Sequence, residues 1–230
     1  MAAGEAGDSD QSDPGTAGRI IAAERARGPA FDGAYGLLRR GSATGIQDAA
    51  VAIGTNLGLS DNRLEVMRRA ALLHDVGKLS LPNTILDKPT RLTDVELNLV
   101  RAHPGLSIEI LSRVQAFEEI AVLAGEHHEK LDGSGYPFGL TGKEMSVESK
   151  IIAVADVFAA LSEHRPYREA LGVERIRSIM EGDIPGKLDG ECYVALCVAM
   201  EDLTRSVPRL PLSAHLPICI SNSDAVEIFI

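Results

Sequence analysis

The chain lacks most of the features that would place it in a specialised class. No run of about 18 apolar residues occurs, so nothing in the sequence is expected to span a membrane. No CxxC pair occurs either. Cys192, Cys197 and Cys219 are odd in number, which argues against a disulfide frame or a zinc knuckle and for reduced core thiols of a cytoplasmic protein. Positive charge is in deficit. The formal net charge is −10, so the global field repels polyanions, and long nucleic acid is not an expected partner. A small phosphate ligand held in a local pocket stays compatible with that field. The N-terminus MAAGEAGDSDQSDPGTAG has no apolar core of the kind a signal peptide needs. No internal repeat is visible, and strand-like sequence is confined to the far C-terminus.

What is present is helical periodicity. At 230 residues the chain can bury one sizeable core. Residues 1–18 are acidic and rich in small side chains and are expected to be a disordered tail. Residues 19–205 form the expected helical domain, and 206–230, with three prolines and apolar ends, an extended C-terminal tail. AAVAIGTNLGL and NRLEVMRRAALLHDVG repeat apolar residues at three and four positions, as helices with one buried face do. LSLPNTILDKPTRL is expected to be a loop. Thr93-Asp94-Val95-Glu96 forms a capping box that opens a helix. His103-Pro104 ends that helix and starts the next. EEIAVLAGEHHEKL and ESKIIAVADVFAALSEH are further helices, separated by the Gly-rich loop DGSGYPFGLTG. The expected fold class is an all-α bundle.

Within these helices lie side chains that an apolar face does not need. His74-Asp75, His103, His127-His128 and Asp156 sit at buried-looking helix ends. Neighbours on a helix point about 100° apart, so an HD or HH pair can enter one cleft only where helices converge or end. The set is imidazole plus carboxylate with no thiolate, which is the composition of a metal site. A carboxylate such as Asp75 has two oxygens and can bridge two ions, and two ions about 3.5–4 Å apart can clamp a phosphodiester for in-line attack. Lys78 follows Asp75 by three positions and can face the same cleft to neutralise phosphate charge. A lone histidine on an apolar face is usually a hydrogen-bonded core residue. The ordered series HDxGK, HP, HH and AD is not explained that way. His164 and His215 lack such a context and are read as ordinary.

HDVGK, HPGLSIEIL, HHEKLDGSGYP and ADVFAALSEHRPYR resemble the motifs of the HD-GYP family of bacterial phosphodiesterases, within the HD superfamily of metal-dependent phosphohydrolases. The resemblance covers roughly residues 49–196. It implies an HD-GYP-type helical bundle that hydrolyses cyclic di-GMP to pGpG or GMP with two or three divalent ions in the family and two expected here, iron or manganese above all. It implies His74, Asp75, His103, His127, His128 and Asp156 as metal ligands, with Asp75 the bridge. It implies Lys78 and Asp75 as catalytic, and Gly135, Tyr136, Arg165 and Arg168 as substrate-binding. Guanidinium forks at 165 and 168 suit phosphate oxygens. The implied partners are a cyclic dinucleotide, diguanylate cyclase domains that dock on the Gly135-Tyr136-Pro137 loop, and a second copy of the chain.

Two departures from the family pattern stand out. Ser42 occupies the place of an additional ligand histidine, with Gly45 and Leu38 at neighbouring family positions, and Ala159 replaces an aspartate after Asp156. The first metal position then keeps His74, Asp75 and Asp156 and is expected to be weak or empty. The second keeps Asp75, His103, His127 and His128. These losses define a rival reading: a catalytically inactive module that binds a cyclic dinucleotide or a cyclase and signals by contact.

Overall fold

The structure, a computed structural model, describes residues 45–162 and 171–205. The expected tails at 1–18 and 206–230, Ser42, and the arginines Arg165 and Arg168 lie outside the described residues. Within them the helices are α1 Gly45–Asn56, α2 Asp61–Leu73, α3 Asn83–Leu86, α4 Asp94–Arg101, α5 His103–Leu111, α6 Glu118–Gly125, α7 Val147–Ser162, α8 Val173–Gly182 and α9 Gly190–Arg205. Short 3₁₀ turns occur at Val76–Ser80 and Gln115–Phe117. No strand occurs among the described residues, only an isolated antiparallel bridge between Asp132 and Thr141. The all-α expectation is met.

Packing follows the apolar spacing. α7 buries Ile151, Ile152, Val154, Ala155, Phe158 and Leu161. Apolar residues on several sides mark an interior helix, and α7 touches α1, α2, α6, α8 and α9. α1 contributes Ile46, Ala49, Ala50 and Ile53, and α2 contributes Met67, Ala70 and Ala71. The alanines let these backbones approach, since methyl groups leave little to separate them. Cys192 and Cys197 are buried in α9 and form no disulfide, as expected of core thiols.

The capping box at Thr93 is present. The Glu96 amide donates to Thr93 Oγ1, and the Thr93 amide donates to Glu96 Oε2 at 2.7 Å. Pro104 lies in the first turn of α5.

Two local expectations change. The stretch after Leu79 is not simply a loop, because Pro82, with φ −62° and ψ 132°, caps the single-turn helix α3. Its fixed φ suits a helix entry. The helix expected through EEIAVLAGEHHEKL stops at Gly125, and residues 126–128 form a turn. Gly133 lies further on, in the irregular segment before α7, at φ +77°.

Candidate metal centre

The C-terminus of α2, the N-terminus of α5, the turn after α6 and the middle of α7 meet at one point. α2 delivers His74 as its C-cap residue, and Asp75 follows with φ −95° and ψ 5°. Ser107, fully buried on α5, fastens this corner. The Gly77 amide donates to Ser107 Oγ at 2.9 Å, and Ser107 Oγ donates to the His74 carbonyl at 2.7 Å. Gly77 is required by close approach. A Cβ there would lie 2.0 Å from the His103 carbonyl oxygen and 2.6 Å from the Ser107 nitrogen.

Three histidines share one device. His74 Nδ1 lies 2.8 Å from the Ala71 carbonyl, His103 Nδ1 2.7 Å from that of Val100, and His127 Nδ1 2.6 Å from that of Ala124. A carbonyl only accepts, so Nδ1 carries the proton and the neutral ring presents a bare Nε2. These Nε2 atoms converge. His103 Nε2 is 3.2 Å from His127 Nε2. Asp75 Oδ1 is 3.2 Å from His103 Nε2 and 4.0 Å from His127 Nε2. Asp75 Oδ2 is 3.3 Å from His74 Nε2. Asp156 stands between two rings, with Oδ1 3.7 Å from His74 Nε2 and Oδ2 3.9 Å from His128 Nδ1. Asp75 Oδ1 is buried and has no hydrogen-bond partner.

Lone pairs thus face lone pairs, and something positive must lie between them. A proton is poorly suited to the role. Burial, then the charges of His128 and His74, holds the His127 pKa well below its ordinary value. Burial, then the charges of His103 and Lys78, lowers that of His128 to about 3. Burial opposes ionisation of Asp75, but His103 and His74 outweigh it and keep the carboxyl far below the usual carboxylate range. For His74, burial is outweighed by Asp75 and Asp156, and its pKa rises. A divalent cation fits the rest of the set. Two donors about 2.1 Å from one ion stand about 3.0–3.4 Å apart at roughly 90–109°, close to the separations around Asp75. The donors fall into two overlapping groups, His103 with His127 and His128, and His74 with Asp75 and His127. His127 therefore borders both groups rather than the second alone. Imidazole with carboxylate suits iron, manganese or zinc.

The rim is built from the following loop. Tyr136 stacks on His128, with ring centroids 4.8 Å apart and planes 29° apart. Its hydroxyl is buried without a partner. Burial, then the negative charge of Asp156, pushes its pKa well up, so it keeps its proton. Gly135 presses on its neighbours, and a Cβ there would lie 2.4 Å from the Lys130 nitrogen. Lys78 Nζ contacts Asp75 Oδ2 at 2.8 Å. Of the residues singled out in the sequence, His74, Asp75, Lys78, His103, His127, His128, Tyr136 and Asp156 come together, with Gly135 beside them. Three residues escaped the sequence reading. Ser107 is one. Arg101, whose guanidinium lies 5.7 Å from the centre of the Tyr136 ring, is another. Glu129 is the third. Only Glu129 carried a signal, as a charge placed directly after an HH pair.

A family model described as HD domain matches residues 26–190. The chain belongs to the HD domain family. This HD domain is 44% identical over 162 residues to 3'3'-cGAMP-specific phosphodiesterase 3 of Vibrio cholerae, covering 70% of this chain and 35% of that protein. It is 40% identical over 146 residues to the cyclic di-GMP phosphodiesterase response regulator RpfG of Xanthomonas campestris, covering 63% of this chain and 39% of that protein. The chain thus spans little more than a third of the length of these curated relatives. The solved structure of Bd1817, a HDG"Y"P protein from Bdellovibrio bacteriovorus, has the same fold with a TM-score of 0.56 at 17% identity, over 87% of this chain and 75% of that one.

Proposed function

We propose that this HD domain is a metal-dependent phosphodiesterase of cyclic dinucleotides, with cyclic di-GMP the expected substrate and pGpG or GMP the product. The observation that carries the reading is the buried, unpartnered Asp75 Oδ1 set among the bare Nε2 atoms of His103 and His127. The relatives named for cyclic di-GMP and for 3'3'-cGAMP support the substrate class.

His74, Asp75, His103, His127, His128 and Asp156 are the residues that would hold divalent ions. Bound there, such ions supply Lewis acidity and a nucleophile at neutral pH. The chain's own part is positional and electrostatic. The Ala71, Val100 and Ala124 carbonyls fix the histidine tautomers. Lys78 Nζ, 2.8 Å from Asp75 Oδ2, places a positive charge at the cleft for a phosphate oxygen. The Tyr136 hydroxyl keeps its proton and can donate it in a hydrogen bond to the nucleotide.

Ser42 supports a weaker first metal position, so fewer ions are retained than a complete set would hold. The inactive-module reading draws on Ala159, which packs partly buried against the apolar core where a carboxylate was expected. The two are separated by loading the protein with Mn²⁺ or Fe²⁺ under reducing conditions and following cyclic di-GMP and 3'3'-cGAMP. Hydrolysis of either, abolished by Asp75→Asn, is the expected result. Tight binding of a cyclic dinucleotide with no product at full metal occupancy would establish the inactive module instead. Ser42→His should raise metal content.

A further inference from the structure

Glu129 is a carboxylate only 2% exposed, directly after the His127-His128 pair. Among the described residues no lysine, arginine or histidine forms an ion pair with it. Its charge is felt nearby, since burial and then Glu129 push up the Glu126 carboxyl. What it does hold is backbone. The Phe138 amide donates to Oε1 at 2.7 Å and the Leu140 amide donates to Oε2 at 2.8 Å. Buried charge is unfavourable unless it is used. Here the carboxylate is bound to two amides of one short segment, residues 138 to 140, both bonds part-buried. The consequence is a fixed loop.

The same residue meets that loop a second time through its main chain. A Cβ on Gly135 would lie 2.5 Å from Glu129 Cα, and the Tyr136 amide donates to the His128 carbonyl at 3.2 Å. Residues 135 to 140 are thus held at both ends by residues 128 and 129. Tyr136 lies between these anchors with its ring on His128. We propose that Glu129 is a positioning residue, whose carboxylate clamps residues 138–140 so that Tyr136 is held against the ligand His128 and presents its ring and hydroxyl to the nucleotide. This rests on the phosphodiesterase reading for the identity of the ligand, but not for the clamp itself.

The test compares Glu129→Gln and Glu129→Ala with the wild-type chain, each loaded with Mn²⁺. Gln keeps the shape and one acceptor, so it should fold even if Ala does not. Limited chymotrypsin digestion reads the loop directly. The wild type should resist cleavage after Phe138 and Leu140, Gln should be cut faster, and Ala faster again. KM for cyclic di-GMP, or the Kd of the cyclic dinucleotide if turnover is absent, should rise in the same order by about tenfold up to 10²-fold, with metal content unchanged. A purely structural role would lower the melting temperature and the active fraction while leaving KM and the cleavage site alone, and that result overturns the proposal. So does loss of metal with an intact loop, or wild-type cleavage in both variants. A wild-type chain that neither binds nor hydrolyses any cyclic dinucleotide would sink the functional reading, while the chymotrypsin pattern still decides the clamp.

Discussion

Gly77→Ala is the sharpest perturbation that the site offers. The added Cβ would sit 2.0 Å from the His103 carbonyl oxygen and 2.6 Å from the Ser107 nitrogen, both backbone atoms of α5. No rotamer change relieves such a contact. Since an ordinary carbon–oxygen contact is about 3.3 Å, the 3₁₀ turn and α5 must part by about 1 Å. Overpacking of this kind costs about 1–3 kcal/mol. The Gly77 N–H···Ser107 bond of 2.9 Å is lost with it, adding about 1 kcal/mol. A domain of this size loses about 2–4 °C of melting temperature per kcal/mol, so the expected drop is roughly 5–15 °C by circular dichroism. Asp75 lies two residues away with Oδ1 3.2 Å from His103 Nε2, and the same displacement should weaken metal retention by about 10–100-fold. Gly105→Ala is the control. It lies in the same helix with nothing within 4 Å of its added Cβ, and it should stabilise the chain by about 0.5–1 kcal/mol. A Gly77→Ala protein that melts within 2 °C of wild type and keeps its metal would refute the geometry, and with it the account of this corner.

Other outcomes are expected. Asp75→Asn should lower turnover by at least about 10²-fold and reduce bound metal, since its two oxygens face His74 on one side and His103 with His127 on the other; undiminished hydrolysis would exclude this carboxylate. His128 has a folded-state pKa of about 3 against an ordinary 6.5, so between these values the unfolded chain binds the extra proton. The stability of chelator-treated protein should be full above about pH 6.5 and decline as pH falls toward 3; a urea midpoint identical at pH 5 and pH 7.5 would contradict this. Burial, then the charge of Asp189, raises the Cys192 thiol. Cys192→Ser should therefore leave labelling of the native chain by a disulfide reagent at pH 8 unchanged and remove one reactive thiol from the urea-unfolded chain.

The sequence was a good guide wherever residue type dictates chemistry. Imidazoles and carboxylates in apolar surroundings have few uses, so the ligand candidates were readable from HD, HP, HH and AD. The capping box at Thr93 was equally legible, because its two bonds are local. Contacts across the fold were not. Ser107 looks like any small residue on an amphipathic helix until α5 is laid against residues 74–77. The end of α6 was misjudged because EHHEK is compatible with a helix. What the residue pattern does not show is that the chain turns at 126–128, where His127 Nδ1 meets the Ala124 carbonyl at 2.6 Å.

The three locked histidines explain why such a site forms at helix ends at all. His74, His103 and His127 each follow the C-terminus of a helix, of α2, α4 and α6 respectively. The carbonyls they bind, those of Ala71, Val100 and Ala124, belong to the last turns of those helices. A last-turn carbonyl has no amide four residues on within its own helix. A histidine three residues beyond that carbonyl can supply the missing donor through Nδ1. That one bond meets the needs of the helix end, fixes the tautomer, and turns Nε2 into the cleft. Each helix also brings the negative end of its dipole, about half an elementary charge. At His103 the end of α4 is opposed by the N-terminus of α5, which starts there, but the ends of α2 and α6 beside the carboxylates of Asp75 and Asp156 make a field that favours a cation before any ligand bond is counted. An HD or HP pair placed in mid-helix would have neither the spare carbonyl nor this field. The chemistry of the site therefore follows from where the helices stop as much as from which residues stand there.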